Sequence, residues 1–221
     1  GDMKQRRTVS YYSRALSHFL SLYDLSPELL AHDMHPQFLS TAAARKKLAC
    51  FDGETVAVQH HHAHLAACLM ENGSSGPAIG VIFDGTGFGS DGTIWGGEFL
   101  VGGAESYIRA GHFLPSRLPG GDASVREPWR YALSMLSETL GIEDAGETAS
   151  SIWPGRSGMI RQVLAILPVS PVTTSCGRFF DGIASLIGLA ETVTYDGQAA
   201  MALEGIAEGK ETAPFGLIRQ N

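Results

Sequence analysis

The sequence predicts a mixed α/β fold, and three observations carry that prediction. Short β-branched apolar runs alternate with stretches whose apolar residues recur at three- and four-residue steps, the mark of strands alternating with helices. One run, Ala78-Ile79-Gly80-Val81-Ile82-Phe83, stops at Asp84-Gly85-Thr86-Gly87-Phe88-Gly89 and is followed by a second strand-like stretch from Thr93 to Val101, which together make a hairpin with a glycine-rich tip. Later in the chain the pattern turns mostly helical.

In chain order, residues 1–23 place Tyr11, Tyr12, Leu16, Phe19, Leu20 and Tyr23 at helical spacing, an amphipathic helix expected to pack on a sheet. Ser26-Pro27-Glu28 starts a short element, with Ser26 as N-cap and Pro27 at the first helical position. Residues 29–36 read as a strand ending in polar Asp33 and His35, before a helix over about 36–48. Strand-to-helix corners are where α/β proteins place ligand groups, so Asp33 and His35 are site candidates; local capping by Asp33 is the alternative. Residues 54–58 form a strand that runs into His60-His61-His62-Ala63-His64, the opening of a helix that ends near Gly73.

On that helix His60 and His64 stand one turn apart, the geometry in which two imidazoles bind one metal ion. Asp84, at the end of its strand, is an oxygen donor that can complete a mixed site with them, whereas His61 and His62 point elsewhere and one of them is a candidate substrate contact. Gly85, Gly87, Gly89 and Gly92 allow close backbone approach and positive φ, as a loop needs to turn N–H groups toward a phosphate. The formal G-x-G-x-x-G match from Gly87 to Gly92 is set aside because a strand, not a helix, follows.

Residues 127–140 form a helix with Trp129, Leu133, Leu136 and Leu140 on its core face. Arg126 and Arg130, at i and i+4, either clamp an anion or form a solvated edge paired with Glu127. Residues 141–158 read as a surface excursion with one or two helical turns, 157–167 as a helix, and 173–177 as a loop feeding a helix over 178–189.

Composition sets outer bounds. With 221 residues and 44% hydrophobic content the chain can bury a real core. A net charge of −7 argues against a nucleic-acid surface. Cys50, Cys68 and Cys176 are widely spaced and odd in number, the usage of reduced cytosolic thiols, and no apolar run approaches the ~18 residues of a membrane span. A soluble cytoplasmic protein is the expectation.

The motifs resemble a known family. Val58-Gln59-His60-His61-His62-Ala63-His64-Leu65-Ala66-Ala67, Phe83-Asp84-Gly85-Thr86-Gly87 and Asp91-Gly92-Thr93-Ile94-Trp95-Gly96-Gly97-Glu98 are similar to the Kae1-like domain of the HypF carbamoyltransferases of nickel-iron hydrogenase maturation. Further blocks agree, from Asp33-Met34-His35-Pro36 through Leu118-Pro119-Gly120-Gly121-Asp122 to Ser175-Cys176-Gly177-Arg178-Phe179-Phe180-Asp181 and Tyr195-Asp196-Gly197-Gln198-Ala199-Ala200.

The resemblance implies an actin-like ATPase fold, with residues 1–76 in a first lobe carrying the histidine helix and 77–221 in a second carrying the hairpin. It implies a divalent metal, zinc or iron, held by His60, His64 and Asp84, with a fourth ligand beyond Asn221. For a nucleotide, ATP or carbamoyl adenylate, it points to Gly85, Thr86, Gly87 and Gly89, with Asp181 at the ribose and Gly197 in a nearby turn. The implied reaction moves a carbamoyl group from carbamoyl adenylate, made by a YrdC-like domain of the same full-length chain, to the C-terminal cysteine of a HypE-type partner for cyanide ligand synthesis. It offers the thiol from that partner, against Cys176 as a nucleophile. It also implies that this chain is a central piece, incomplete at both ends and prone to dimerise. Two rival readings stay open: an ATP-dependent phosphotransferase of the same fold, and a non-catalytic docking module stapled by a metal.

Overall fold

The structure is a computed structural model that describes residues 6–45, 51 and 53–207. Its elements run α1 (Arg6–Leu22), β1 (Leu29–Asp33), α2 (Leu39–Arg45), β2 (Glu54–Val58), α3 (His60–Glu71), β3 (Ala78–Phe88), β4 (Ile94–Gly102), β5 (Tyr107–His112), β6 (Ser116–Arg117), α4 (Asp122–Arg126), α5 (Pro128–Leu140), α6 (Ile142–Ile152), α7 (Ser157–Ile166), β7 (Val172–Thr173), α8 (Cys176–Leu186) and α9 (Gln198–Ile206). The α/β class expected from the sequence is what forms.

Two sheets position everything that follows. β1 and β2 pair in parallel, Leu29 opposite Glu54 and Asp33 opposite Val58, so both strands deliver their C-terminal ends to one edge. Asp33 thereby arrives beside the start of α3. The second sheet has the order β3-β4-β7-β6, with β5 also paired to β4, and mixes antiparallel pairs with the parallel pair β4–β7. α3 lies on it through Leu65 and Leu69, which pack with Ile82, Trp95 and Leu100. Gly80 permits that approach, since a Cβ there would stand 3.0 Å from a methyl of Leu65.

A helical layer supplies the largest core. Trp129, Ala132 and Leu133 of α5 meet Ala149 of α6, Trp153, and Ile160 and Val163 of α7. Gly182 of α8 lies against Tyr131 and Met135 of α5, where a side chain would collide with the methionine sulfur.

Several elements depart from expectation for local reasons. α1 forms, but none of its described residues is buried, and Tyr11 and Phe19 are largely exposed; it does not sink a face into a sheet. Ser26-Pro27-Glu28 is irregular chain with a bend at Glu28 leading into β1, rather than a helix start. The helix expected from residue 36 begins at Leu39, because the Asp33 carboxylate first accepts the N–H of His35 at 2.7 Å and holds an intervening turn; residues 46–48 of that expectation lie outside the described residues. The 141–158 excursion is instead dominated by α6, whose Ala145 and Ala149, one turn apart and fully buried, let it lie close to α5. Leu140, expected in the core, is exposed, and α8 starts at Cys176 because Ser175 caps it. β5, α4 and α9 were not anticipated. The face of β3 turned away from α3 leaves Ile79, Val81 and Phe83 exposed.

Truncating Trp129, fully buried between three helices, is expected to cost about 3–5 kcal/mol in Trp129→Ala, read as a lower midpoint in urea unfolding.

Candidate metal centre

The side chain of Gln59 caps α3 by accepting the N–H of His62 at 2.8 Å, which starts the helix at His60. Three imidazoles then converge on one oxygen. The Nε2 atoms of His60, His61 and His64 lie 3.2, 3.5 and 4.0 Å from Oδ2 of Asp84. One donor atom each from His60, His64 and Asp84 fall within 4.8 Å of one another.

Asp33 belongs to the same constellation in a different capacity. Its Oδ2 accepts Nδ1 of His60 at 2.8 Å, while Oδ1 accepts the N–H of His35. A carboxylate behind an imidazole fixes its tautomer and orientation, the arrangement seen behind metal-ligating histidines. His35 stays out of the cluster; its ring stacks on Phe38 at 4.0 Å and its Nδ1 accepts the N–H of Gln37. His62 turns away and donates to the carbonyl of Gly103 at 2.9 Å. His61, expected to face elsewhere, is fully buried with its ring toward Asp84. The reason is tertiary: β3 crosses over the first turn of α3 at Gly87, where a Cβ would collide with His61 and come within 2.9 Å of His60.

The electrostatics follow from this crowding. The Asp84 carboxylate, with Asp33 behind, holds the His60 imidazolium up to about 9 against the opposing effect of burial. Burial pushes His61 down to about 4. Burial also works to raise Asp84, but the His60 ring and the N–H of Gly85 outweigh it and keep the carboxyl below its ordinary range. With Nδ1–H of His60 donated to Asp33, its Nε2 faces Oδ2 of Asp84 at 3.2 Å, two atoms that a cation between them holds together. A proton can fill that role, and so can a divalent ion, for which two imidazoles and a carboxylate are a fitting donor set. Oδ2 of Asp84 is buried without a hydrogen bond of good geometry, as a ligand atom awaiting a cation would be.

The glycines behave differently from expectation. β3 continues to Phe88, with its pairing interrupted between Phe83 and Gly87, so Asp84, Gly85 and Thr86 form an irregularity within a strand. The N–H of Gly85 is taken by Oδ1 of Asp84 at 2.6 Å and that of Gly89 by the carbonyl of Thr93 at 2.9 Å, rather than turned outward as a phosphate cradle. Of the four loop glycines only Gly92 has positive φ. Thr86 is exposed, and a Cβ at Gly85 would meet nothing within 4 Å.

Helix α8 connects this irregularity to the second group of candidates. Ser175 donates its hydroxyl to the carbonyl of Gly85 at 2.6 Å and accepts the N–H of Arg178 at 3.0 Å, and Gly177 abuts Gly85. Asp181 lies four residues on, roughly 6 Å along the helix axis. It is buried and paired with Arg178 at 2.9 Å; burial first, and the charge of Asp196 with it, push its carboxyl up to about 6 despite Arg178. Gly197, in left-handed conformation at the start of α9, follows Asp196. Arg130, about 20% exposed, pairs with Glu127 and lies over the ring of Trp129, while the backbone carbonyl of Arg126 accepts from Val193. Cys176 is buried and its thiol pushed up, the reverse of an activated nucleophile.

Sequence reasoning named Ser175, Gln59 and Glu98 only inside motif blocks and gave none of them a role. Ser175 carried a usable signal, a serine just before a helix-period stretch. Gln59 and the fully buried Glu98, which takes Arg109 at 2.7 Å and Thr174, carried no local signal of these roles.

A family model described as "HypF Kae1-like domain" matches residues 1–71, and one described as "Carbamoyltransferase, Kae1-like Domain, second subdomain" matches residues 80–220. This chain belongs to the HypF Kae1-like domain family. It is 43% identical over 218 residues to carbamoyltransferase HypF2 of Cupriavidus necator, covering 97% of this chain and 26% of that protein, and 38% identical over 209 residues to carbamoyltransferase HypF of Rhizobium leguminosarum. A crystal structure of full-length HypF in its phosphate- and nucleotide-bound form superposes with a TM-score of 0.87 at 32% identity, covering 100% of this chain and 29% of that one. The HypF of T. kodakarensis gives a TM-score of 0.85 at 30% identity. The chain thus spans about a quarter of the length of these two carbamoyltransferase relatives.

The raised carboxyl of Asp181 makes a pH-dependent contribution. A folded-state value near 6 against an ordinary 3.8 means that the folded form holds the proton more tightly, so stability is greatest below about pH 4 and is lost as pH rises through 6. Asp181→Asn has no proton to lose, and its stability relative to the parent is expected to increase by about 2–3 kcal/mol between pH 4 and 7, measured by urea unfolding at each pH.

Proposed function

We propose that this chain is the carbamoyl-transfer domain of a HypF-type enzyme, passing a carbamoyl group from carbamoyl adenylate to the C-terminal cysteine thiolate of a HypE-type partner, toward the cyanide ligands of nickel-iron hydrogenase. The single observation that carries the reading is the convergence of His60 and His64 on Asp84, with Asp33 behind His60, in a chain of this family. Residues 1–76 are read as part of one Kae1-like lobe and 77–221 as part of the other. A YrdC-like domain of the same full-length protein is the source of carbamoyl adenylate. No described helix is long and apolar enough to cross a membrane.

In this reading His60, His64 and Asp84 hold a divalent ion, zinc or iron, which when bound supplies Lewis-acid polarisation of the carbamoyl carbonyl. Asp33 keeps the Nδ1 proton of His60 engaged, so that Nε2 is free to ligate. The thiolate sulfur of the partner forms a bond to the carbamoyl carbon as the bond to the adenylate phosphate breaks, and AMP leaves. Asp181, tied through α8 to the Asp84–Gly85 irregularity, is read as orienting the ribose, with Gly197 in the adjoining turn. The exposed Thr86 marks the side of the irregularity from which phosphate would approach.

His60→Ala combined with His64→Ala is expected to abolish bound metal in elemental analysis and to abolish thiocarbamate formation from carbamoyl adenylate; unchanged metal and unchanged product would overturn the assignment. AMP, rather than ADP, as the nucleotide product separates this reading from a phosphotransferase. Asp33→Ala is expected to weaken metal affinity by about 10–100-fold in chelator competition while leaving the ligands in place.

A further inference from the structure

Two neighbouring histidines at the start of α3 carry opposite hydrogen-bonding environments. The amide of Gln59 is oriented by two backbone groups: its Oε1 accepts the N–H of His62 at 2.8 Å, and its Nε2 donates to the carbonyl of Phe88 at 3.2 Å. The second N–H of that same nitrogen faces Nδ1 of His61 at 3.1 Å. An amide nitrogen has no lone pair to offer, so Nδ1 is the acceptor, and the neutral ring carries its proton on Nε2. That N–H points at Asp84. Nε2 of His61 and Oδ2 of Asp84 lie 3.5 Å apart, both buried and neither engaged in a hydrogen bond, with Nε2 of His60 3.2 Å from the same oxygen. The gap exceeds an ordinary N–H···O bond by about half an ångström. In His60 it is Nδ1 that meets a carboxylate from behind, Asp33 at 2.8 Å, and Nε2 is the atom turned to Oδ2 of Asp84 at 3.2 Å.

Resting on the metal reading above, we infer that His61 is a positioning residue, a neutral Nε2–H donor that aims the Asp84 carboxylate at the His60–His64 pair and is not itself a ligand. The carboxylate is then held at both oxygens, Oδ1 by the N–H of Gly85 at 2.6 Å and Oδ2 by His61. The ring is well placed to hold it. It is fully buried, lies 6.0 Å from the Trp95 ring, and is pressed by the side-chain-free Gly87. Outer partners of this kind act by keeping a ligand oriented.

The test uses zinc as the probe and two variants of the protein. Glutamine reaches about as far as the Nε2 edge of histidine and presents an N–H there, whereas leucine fills the space without a donor. Zinc affinity in chelator competition is expected to fall about 10–100-fold in His61→Leu and to return to within roughly threefold of the parent in His61→Gln, with unfolding midpoints of the two variants alike. Rescue by glutamine is what a merely space-filling role would not produce. Long-range nitrogen–proton correlation on histidine-labelled protein without metal is expected to show His61 protonated at Nε2 and bare at Nδ1. A proton on Nδ1, full zinc affinity in His61→Leu, or loss of zinc as complete as in His60→Ala would each overturn the inference. If the parent binds no zinc, the metal reading fails, and the protonation pattern of His61 still decides whether it donates to Asp84.

Discussion

A carboxylate buried among imidazoles is the constraint on which the rest of this structure depends. Asp84 cannot stay charged in a half-enclosed site without compensation, and uncompensated burial of a charge costs several kcal/mol. Every element around it contributes: α3 brings three ring nitrogens, the Gly85 N–H takes one oxygen, and β1 supplies the second carboxylate that fixes His60. The strand itself bends to accommodate this, with its pairing to β4 broken between Phe83 and Gly87. Glycines at 85 and 87 fit the irregularity, one with free space where a Cβ would stand and one pressed on the histidines.

The irregularity is in turn held from behind. Ser175 ties the carbonyl of Gly85 to the first turn of α8, and the preceding Thr174 is bound by the buried Glu98 of β4. Burial by itself would raise the Glu98 carboxyl; Arg109, Thr174 and the N–H of Gly96 outweigh it and keep it ionised. Arg109 lies over the Trp95 ring at 3.9 Å and also reaches Asp91 at the hairpin tip, so one network braces the hairpin, β5 and the start of α8 together. Glycine at 96 is needed in this packing, since a Cβ there would come within 2.5 Å of the Asp84 carbonyl. Mechanical support for the candidate centre thus comes from residues with no chemistry of their own to perform.

Much of this was legible in the linear chain, and the failures have physical causes. The i, i+4 spacing of His60 and His64 depends only on helical geometry, which is local. The β3–β4 hairpin announced itself through β-branched runs flanking a glycine-rich turn. α6 did not, because its small and polar residues acquire a buried face only against α5. Asp33 was visible as a candidate but its partner was not, since the two residues lie 27 positions apart and meet only through the parallel pairing of β1 and β2. His61 was read as pointing away because neighbours on a helix diverge by about 100°; the approach of β3 over the first turn brought a carboxylate to it nonetheless.

What the sequence by itself determined is the inventory: an α/β pattern, a histidine helix beginning near residue 60, a strand leading to Asp84, and motif blocks similar to HypF. These rest on backbone periodicity and short-range sterics, which act within a few residues. Tertiary structure alone decided which imidazole nitrogen faces which oxygen, which glycine N–H groups are already engaged, and that Ser175 and Glu98 brace the centre. Such outcomes depend on contacts between segments tens of residues apart, and a hydrogen bond needs its two atoms within about 3 Å whatever separates them in the chain.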